Sequence, residues 1–181
     1  LMMAAELDEE NKRRQQTEQA MVLEACALLD QTVTDKRVAV VAHENWHSGV
    51  AGIVASRLVE IYQRPSAVIC IENGKATGSA RGIPGVHIFS ALDACKDLLI
   101  KYGGHAQAGG FSLLEENLPA FMEKYNAFFC EHYPIQTWMP KVTCDLALSP
   151  EEITVPMAES FSAMAPFGMG NPTPTVRLNN V

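Results

Sequence analysis

The residues with the clearest chemical potential lie in a glycine-rich stretch, Tyr102–Phe111, which reads Tyr-Gly-Gly-His-Ala-Gln-Ala-Gly-Gly-Phe. Glycine costs backbone entropy on folding, so its density here needs a steric reason, either a turn with positive φ or close approach of the backbone to a ligand. A tight helix-to-strand connection would explain the stretch without any ligand. Alternatively, backbone N–H groups and an imidazole would form a pocket for a phosphate or carboxylate oxygen. The candidate ligands of such a pocket are Gly103, Gly104, His105, Gly109 and Gly110.

A small polar segment, Lys75–Arg81, offers a second group of candidate ligands. Thr77, Ser79 and Arg81 occupy alternate positions, so in a strand their side chains share one face. Few side chains in this segment could form a core, which indicates that one face lines a site; a solvated edge strand would explain the same residues. Arg57 borders the apolar face of a predicted helix, where it could snorkel, pair with a carboxylate or bind a phosphate.

The chain lacks the sequence patterns of the common catalytic sites. His43 and His47 are four residues apart but fall in a predicted loop, with no H-E-x-x-H motif, Cys/His quartet or Asp-x-Asp pair. Ser79 lacks the G-x-S-x-G frame of a serine hydrolase. The glycine-rich stretch follows a predicted helix, whereas a Rossmann loop follows a strand. The spacing therefore indicates an anion-binding module without a catalytic metal of its own, rather than a complete enzyme.

The composition is that of a globular protein with a sizeable core. Of the 181 residues 48% are apolar, and the formal net charge of −7 argues against a generally basic nucleic-acid coat. Any nucleic-acid contact must therefore be local. No apolar run approaches the length of a membrane span. Of the five scattered cysteines, Cys70, Cys95 and Cys144 fall within apolar patterns, which indicates reduced core thiols in a cytoplasmic protein.

Hydrophobic periodicity predicts the elements that position these residues. The predicted strands are Arg37–Ala42, Ser66–Glu72, Lys75–Arg81 and Phe111–Leu114, and the predicted helices are Gly49–Gln63, Ile88–Tyr102 and Leu118–Phe129. Asn73-Gly74 is a strong signal for a hairpin. The β-α-β-β-α-β-α order implies an α/β fold, with a mixed sheet flanked by helices. A helix over Glu6–Gln31, polar in its first half, precedes this fold and is expected to dock only through its C-terminal end.

The composition changes at His132–Pro140, where prolines and aromatic residues indicate a domain boundary. Beyond it, the sequence predicts a strand at Val142–Leu148, a helix at Pro156–Ala165 and a turn-rich segment at Pro166–Pro174. The remaining residues, about forty, are too few for an independent core. They are expected to open a second domain.

Three stretches, in this order and spacing, resemble the DHH-associated domain of RecJ-type single-strand-specific exonucleases of the DHH family: Trp46–Leu58, Gly78–Arg81 and Gly103–Gly110. Leu7–Glu18 is similar to the helix that connects the two lobes of these enzymes, and Pro166–Pro172 resembles a segment of their OB-like domain. Gly82 departs from the pattern, in which a serine is expected.

The resemblance implies three parts: a connecting helix at 1–33, a DHH-associated nucleic-acid-binding domain at 34–133, and the start of an incomplete OB-like domain at 134–181. It implies the substrate clamp of a 5′→3′ single-stranded-DNA exonuclease of DNA repair and recombination. Such an enzyme holds Mn²⁺ or Mg²⁺ on an Asp/His lobe, whose Asp-His-His tripeptide does not occur here. The chain alone is thus expected to bind no metal and to be inactive. Its expected partners are single-stranded DNA and the missing N-terminal catalytic lobe, with no membrane.

By the same resemblance, His105 and the amides of the surrounding glycines would hold a phosphate near the scissile bond, with Ser79 and Arg81 assisting. His47 would add the N-terminus of a helix, which favours anions. Arg57 is a further candidate, and Trp46 could stack on a base or pack against the following helix.

Two alternatives stay open at this point. One is the clamp of a DHH-family oligoribonuclease or cyclic-dinucleotide phosphodiesterase, although such relatives usually lack the OB-like extension. The other is a protein-interaction module without a nucleic-acid role, in which the glycine-rich stretch only turns the chain.

Overall fold

A computed structural model describes residues 2–30, 36–134 and 143–179 of the chain. The chain divides into two compact units, Leu1–Met139 and Pro140–Val181, and each is described by itself. Most of the boundary segment predicted at His132–Pro140 lies outside the described residues. In the described part of the chain, no helix has the length and apolar character needed to cross a bilayer.

The described residues of the first unit form a sheet and four α-helices. Its elements are, in chain order, α1 (Met2–Leu29), β1 (Ala39–His43), α2 (Ser48–Tyr62), β2 (Ser66–Glu72), β3 (Lys75–Arg81), α3 (Ile88–Ala94), β4 (Leu99–Gly104), β5 (Ala108–Leu114) and α4 (Leu118–His132). The five strands have the order β1-β2-β3-β5-β4, with β1 and β2 parallel and the other neighbours antiparallel. The predicted α/β class with a mixed sheet is confirmed.

The helices divide between the two faces of the sheet. On one face, α1 and α2 pack on β1, β2 and part of β3, and only the last turns of α1 are buried there, through Met21, Ala25 and Leu29. The polar first half of α1 is exposed, as its sequence predicted. On the other face, α3 and α4 form a second core with aromatic residues of α4 at its centre.

The glycine-rich stretch is a β-hairpin, which corrects the prediction of a helix through Ile88–Tyr102 followed by a loop. The helix α3 ends at Ala94, a 3₁₀ turn covers Lys96–Leu98, and β4 then pairs with β5. The helical spacing of apolar residues correctly predicted the first part of this segment, where Ile88, Leu92 and Cys95 are buried. Beyond it, the hydrogen bonds that β4 forms with β5 override local periodicity, which single-sequence patterns do not reveal.

The hairpin predicted at Asn73-Gly74 is confirmed. Both residues have positive φ, 51° and 75°, which is the twist that a two-residue turn between antiparallel strands requires. Of the three cysteines predicted to be core residues, Cys70 and Cys95 are buried, whereas Cys144 is only half-buried.

The second unit has two short parallel strands, β6 (Leu146–Leu148) and β7 (Val176–Leu178), and a helix, α5 (Val155–Ser162). The strand predicted over Val142–Leu148 is observed only in its last three residues, and its first residue lies outside the described part. The turn-rich segment closes on itself through a bridge between Gly168 and Asn171.

Candidate nucleic-acid interface

Half of one sheet face is open and polar. On the face that carries α1 and α2, these helices reach no further than β3, and Thr77, Lys101 and Gly110 on the same face are exposed. The opposite face of β3 and β5 is buried in the aromatic core. The predicted alternation of β3 is therefore confirmed, with its polar residues on the open side.

Strand register places several of the predicted ligands side by side. Ser79 on β3 lies opposite Gly110 on β5, and Gly110 lies opposite Gly103 on β4. Arg81 lies opposite Ala108, at the end of the sheet where the hairpin turns. Residues that are far apart in sequence thus form one row across three strands.

The four glycines of the hairpin have two different roles. Gly104 has a φ of +147°, and a Cβ there would stand 2.3 Å from the carbonyl oxygen of Ala108. A Cβ on Gly109 would stand 2.6 Å from Leu92. The fold therefore favours glycine at both positions, strongly at Gly104, where backbone atoms and a positive φ oppose a side chain, and less strongly at Gly109, where Leu92 would have to shift.

Gly103 and Gly110 have no such internal reason. A Cβ on Gly103 would meet nothing within 4 Å, and one on Gly110 would make only an ordinary contact, 3.9 Å from the carbonyl oxygen of Gly78. Neither residue has the positive φ that favours glycine. Both face the open half of the sheet, where bare backbone would allow a ligand to approach closely.

His105 is held in the turn that joins β4 to β5. Its N–H donates to the carbonyl of Ala108 over 2.8 Å, and its Nδ1 accepts from the N–H of Gln107 over 3.3 Å. The carbonyls of Ala106 and Gln107 accept from Ile88 and Gly82, which fixes the turn to the start of α3. Because Nδ1 is an acceptor, the proton of the neutral imidazole is on Nε2, the nitrogen that remains available to donate to a ligand.

Arg81 rests on helix α2. Its Nη1 donates to the carbonyl of Ala80 over 2.9 Å, and a Cβ added to Gly52 would stand 2.7 Å from its Nη2 and 3.7 Å from Oγ of Ser79. Within the described ranges, no carboxylate lies within 4.0 Å of this guanidinium. Because no carboxylate neutralises this guanidinium, its remaining N–H groups could bind a phosphate.

His47 caps α2, as its position in the sequence predicted. Its Nδ1 accepts from the N–H of Gly49 over 3.1 Å, and it borders a cleft of about 690 Å³. The residues that line the cleft include Thr77 and Lys75, but also two carboxylates, Glu44 and Glu72. The cleft therefore joins the polar half-face through Thr77 and carries mixed charge.

Two predicted residues do not join the group. The guanidinium of Arg57 pairs with Glu18 and Glu60 at 3.4 and 2.9 Å, and these hydrogen bonds raise its pKa. Of the three roles that the sequence left open for Arg57, pairing with a carboxylate is therefore the one observed.

Trp46 is buried, with 6% of its surface exposed, and its indole N–H donates to Glu24 over 2.7 Å. Its ring stacks on His43 with the centroids 5.5 Å apart. Of the two roles considered for Trp46, packing inside the protein is the one observed, and a nucleic-acid base could not reach the face of the indole ring.

Two residues of the open half-face were missed by the sequence analysis, Lys101 and Ser112. Ser112 lies opposite Thr77 on one side and Lys101 on the other. Lys101 and Gly103, like Gly110 and Ser112, are two residues apart, as residues on one face of a strand are. The helix predicted across Lys101 concealed this pattern. Gly82, where a serine was expected, uses its N–H to bind the turn, and a Cβ there would stand 3.0 Å from Ile88.

No group of three or more His, Cys, Asp or Glu side chains that could hold a metal ion is found in residues 2–30, 36–134 and 143–179. The open half-face offers hydroxyl and ammonium donors to a ligand, and the guanidinium of Arg81 lies at its border.

Comparison with known protein families decides the family. The model of the DHHA1 domain matches residues 35–131, more than half of the chain. The chain belongs to the DHHA1 domain family. Residues 144–181 match a second model, the RecJ OB domain, so the DHHA1 domain is followed by the type of segment that its resemblance to RecJ predicted.

The curated relatives of this DHHA1 chain include single-stranded-DNA-specific exonucleases RecJ. That of Bacillus subtilis is 38% identical over 98% of the chain, and that of Escherichia coli is 32% identical over 96%. The chain spans only 23% and 32% of the length of these two relatives. The prediction that the chain is a C-terminal portion of a RecJ-type protein is confirmed.

Solved structures agree with this assignment. RecJ of Thermus thermophilus in complex with Mg²⁺ is 34% identical, with a TM-score of 0.78, over 94% of this chain and 26% of that one. An exonuclease RecJ bound to manganese is 37% identical, with a TM-score of 0.61, over 72% of this chain and 32% of that one. RecJ structures thus hold Mg²⁺ or Mn²⁺.

Proposed function

We propose that the chain is the substrate clamp of a RecJ-like 5′→3′ exonuclease, and that its open polar half-face holds the backbone of single-stranded DNA. The whole protein is then a metal-dependent phosphodiester hydrolase of DNA repair and recombination in the cytoplasm. The chain alone binds the strand without cutting it. The match to a RecJ OB domain favours this function over that of an oligoribonuclease or cyclic-dinucleotide phosphodiesterase clamp.

The observation that carries the proposal is the row Ser79–Gly110–Gly103, with Arg81 two residues beyond Ser79 on the same face of β3. Two glycines at which a Cβ would meet no obstacle leave the backbone accessible, and Arg81, whose guanidinium has no carboxylate partner among the described residues, lies on the same sheet face. Bare backbone and hydroxyl groups suit a sugar-phosphate chain, which is recognised through its phosphates and carries no sequence information there.

The acidic net charge is compatible with this surface. Many of the arginines and lysines of α1 are neutralised by carboxylates one turn away, for example Lys12 by Asp8 and Arg13 by Glu9. Arg81 and Lys101 have no carboxylate within 4.0 Å among the residues described. These two side chains are therefore available for a phosphate where the strand is proposed to bind, in spite of the negative net charge.

A clamp and a metal centre supply different parts of phosphodiester hydrolysis. Divalent ions activate a water molecule and stabilise the leaving oxygen, whereas donors fixed on the protein neutralise the non-bridging oxygens. In this chain, the fixed donors are the guanidinium of Arg81, the hydroxyl of Ser79 and Nε2 of His105. The metal ligands belong to the Asp/His lobe of the whole enzyme, and no step of the reaction is assigned to this chain.

The test is a fluorescence-anisotropy titration of a labelled, 5′-phosphorylated oligothymidylate at low salt with the full 181-residue chain. Arg81→Ala and His105→Ala are expected to weaken binding, Arg81→Ala by about tenfold, because a charge-assisted bond to phosphate is lost. Lys96→Ala removes the same charge from an exposed position next to α3, and it should bind like the wild type.

Equal affinity of Arg81→Ala and Lys96→Ala would refute the proposed site. The same chain, incubated with the oligonucleotide and Mn²⁺ or Mg²⁺, should release no nucleotide. Hydrolysis that persists in a preparation free of other nucleases would overturn the assignment of catalysis to another part of the enzyme.

A further inference from the structure

The open half-face contains a second polar row, parallel to the first. Thr77 on β3 lies opposite Ser112 on β5, which lies opposite Lys101 on β4. Thr77 and Lys101 are exposed and Ser112 is half-buried. Every residue of this row carries a hydrogen-bond donor in its side chain.

A β-bulge places Lys101 on this row. The register of β4 against β5 shifts between Leu99 and Lys101, so Ile100 is the extra residue. Without the shift, Leu99 and Lys101 would share a face, because they are two residues apart. With it, Leu99 pairs with Leu113 on the core side while Lys101 points to the open side. Bulges re-aim side chains in this way, often beside functional sites.

The two rows are one phosphate step apart. Each residue of the second row is two positions along its strand from the corresponding residue of the first, a distance of about 7 Å. This distance matches the separation of successive phosphates in an extended single strand. The first row contains glycines that let the strand approach, and the second contains the ammonium group of Lys101 and two hydroxyl groups.

We infer that Thr77, Ser112 and Lys101 form a second phosphate subsite, which binds the phosphate next to the one held at Ser79 and Arg81. The occupant is a single-stranded polynucleotide, since its regular anionic backbone complements both the charge and the spacing of the two rows. The inference rests on the proposed function, because the strand must already lie on the first row. Beyond the second row, Glu115 and Glu116 border a cleft with Leu114, which limits the path of the anion at that end.

The experiment compares Lys101→Ala, Lys101→Arg, Arg81→Ala and the charge-matched control Lys96→Ala, each as the full chain with its thermal midpoint recorded. Affinity for 5′-phosphorylated oligothymidylate is measured over a series of salt concentrations. Lys101→Ala should bind about two- to fivefold more weakly, as expected for a solvent-exposed ion pair. Its slope of log affinity against log salt should be shallower by about 0.7, the contribution of one phosphate contact to a single strand. Lys101→Arg should retain the wild-type slope, and so should Lys96→Ala.

The outcomes separate the two proposals. A wild-type slope in Lys101→Ala, together with weakened binding by Arg81→Ala, overturns the second subsite and leaves the clamp standing. Unchanged binding in both variants, or a wild-type chain that does not bind the oligonucleotide, overturns both. A slope that falls equally in Lys101→Ala and Lys96→Ala shows only a general effect of charge and also overturns the second subsite.

Discussion

The four glycines of the β4–β5 hairpin should respond to alanine in opposite ways. Gly104→Ala and Gly109→Ala place a methyl group against the backbone or the core, whereas Gly103→Ala and Gly110→Ala place it in the open half-face. If the last two glycines serve a ligand, alanine at these positions should weaken DNA binding without weakening the fold. All four substitutions make the same chemical change within one hairpin.

The magnitudes follow from the contacts. Gly104→Ala combines a backbone contact of 2.3 Å with a φ of +147°. Strain of that kind costs about 1–3 kcal/mol, and overpacking costs a similar amount, so the loss is at least about 2 kcal/mol. At Gly109 the nearest atom is the flexible end of Leu92, 2.6 Å away, so the loss should be smaller, about 1 kcal/mol. Gly103→Ala and Gly110→Ala should gain about 0.4–1 kcal/mol, because alanine restricts the unfolded chain.

Thermal denaturation followed by circular dichroism, with the anisotropy titration beside it, measures both effects. For a chain of this size 1 kcal/mol corresponds to about 2–4 °C in Tm. Gly104→Ala should therefore lower Tm by at least about 4 °C, and Gly103→Ala and Gly110→Ala should leave it unchanged or raise it by about 1–4 °C. In DNA binding, Gly110→Ala should lose affinity despite its intact fold, since a methyl group stands where the backbone of the strand would lie.

Two results would refute this reasoning. A fall in the Tm of Gly103→Ala or Gly110→Ala that equals the fall for Gly104→Ala would show that the fold needs these glycines after all. Full DNA affinity in both stable variants would show that no strand approaches this part of the sheet.

Three further substitutions test other parts of the structure. Gly52→Ala should stabilise α2 by about 1 kcal/mol through helix propensity, yet weaken DNA binding by displacing Arg81. The binding loss should disappear when Arg81→Ala is already present, and a loss that persists would contradict action through Arg81. Tyr125→Phe should raise the free energy of unfolding by about 1 kcal/mol, because the buried hydroxyl has no hydrogen-bond partner in the described part of the chain; a lower value in denaturant titrations would show that the hydroxyl is satisfied. The hydrogen bond from Lys124 lowers the pKa of Asp97, so this pair stabilises the fold above the ordinary carboxyl pKa and is lost as the pH falls through the lowered one. The Tm of the wild type should therefore be higher than that of Lys124→Ala at neutral pH, and the two should be equal at about pH 2. A difference in Tm that stays constant with pH would count against the pair.

Much of the fold could be predicted because it rests on local patterns. The β-branched runs of β1 and β2, the amphipathic stripe of α2 and the Asn73-Gly74 turn each specify their structure within a few residues. The polar first half of α1 and its apolar last turns likewise indicated which end would dock.

The candidate site was predictable in its residue types but not in its arrangement. Ser79, Arg81 and His105 were identified from their chemistry and from family resemblance. Arg57 and Trp46 were further candidates with an alternative role each, and the structure shows that Glu18 and Glu60 pair with Arg57 and that the core encloses Trp46. A partner on a different helix is invisible to any local pattern.

The sequence by itself determined the composition of the site, the order of most elements and the family. Only the tertiary structure decided that Leu99–Gly104 is a strand, because the hydrogen bonds that β5 supplies to it come from a segment further along the chain. That strand and its bulge bring Lys101 and Gly103 beside Ser112 and Gly110. The same pairing divides the glycines into two that the fold requires and two that face outward. Spacing along a sequence cannot make that distinction, because each face of a sheet is defined by what packs on it.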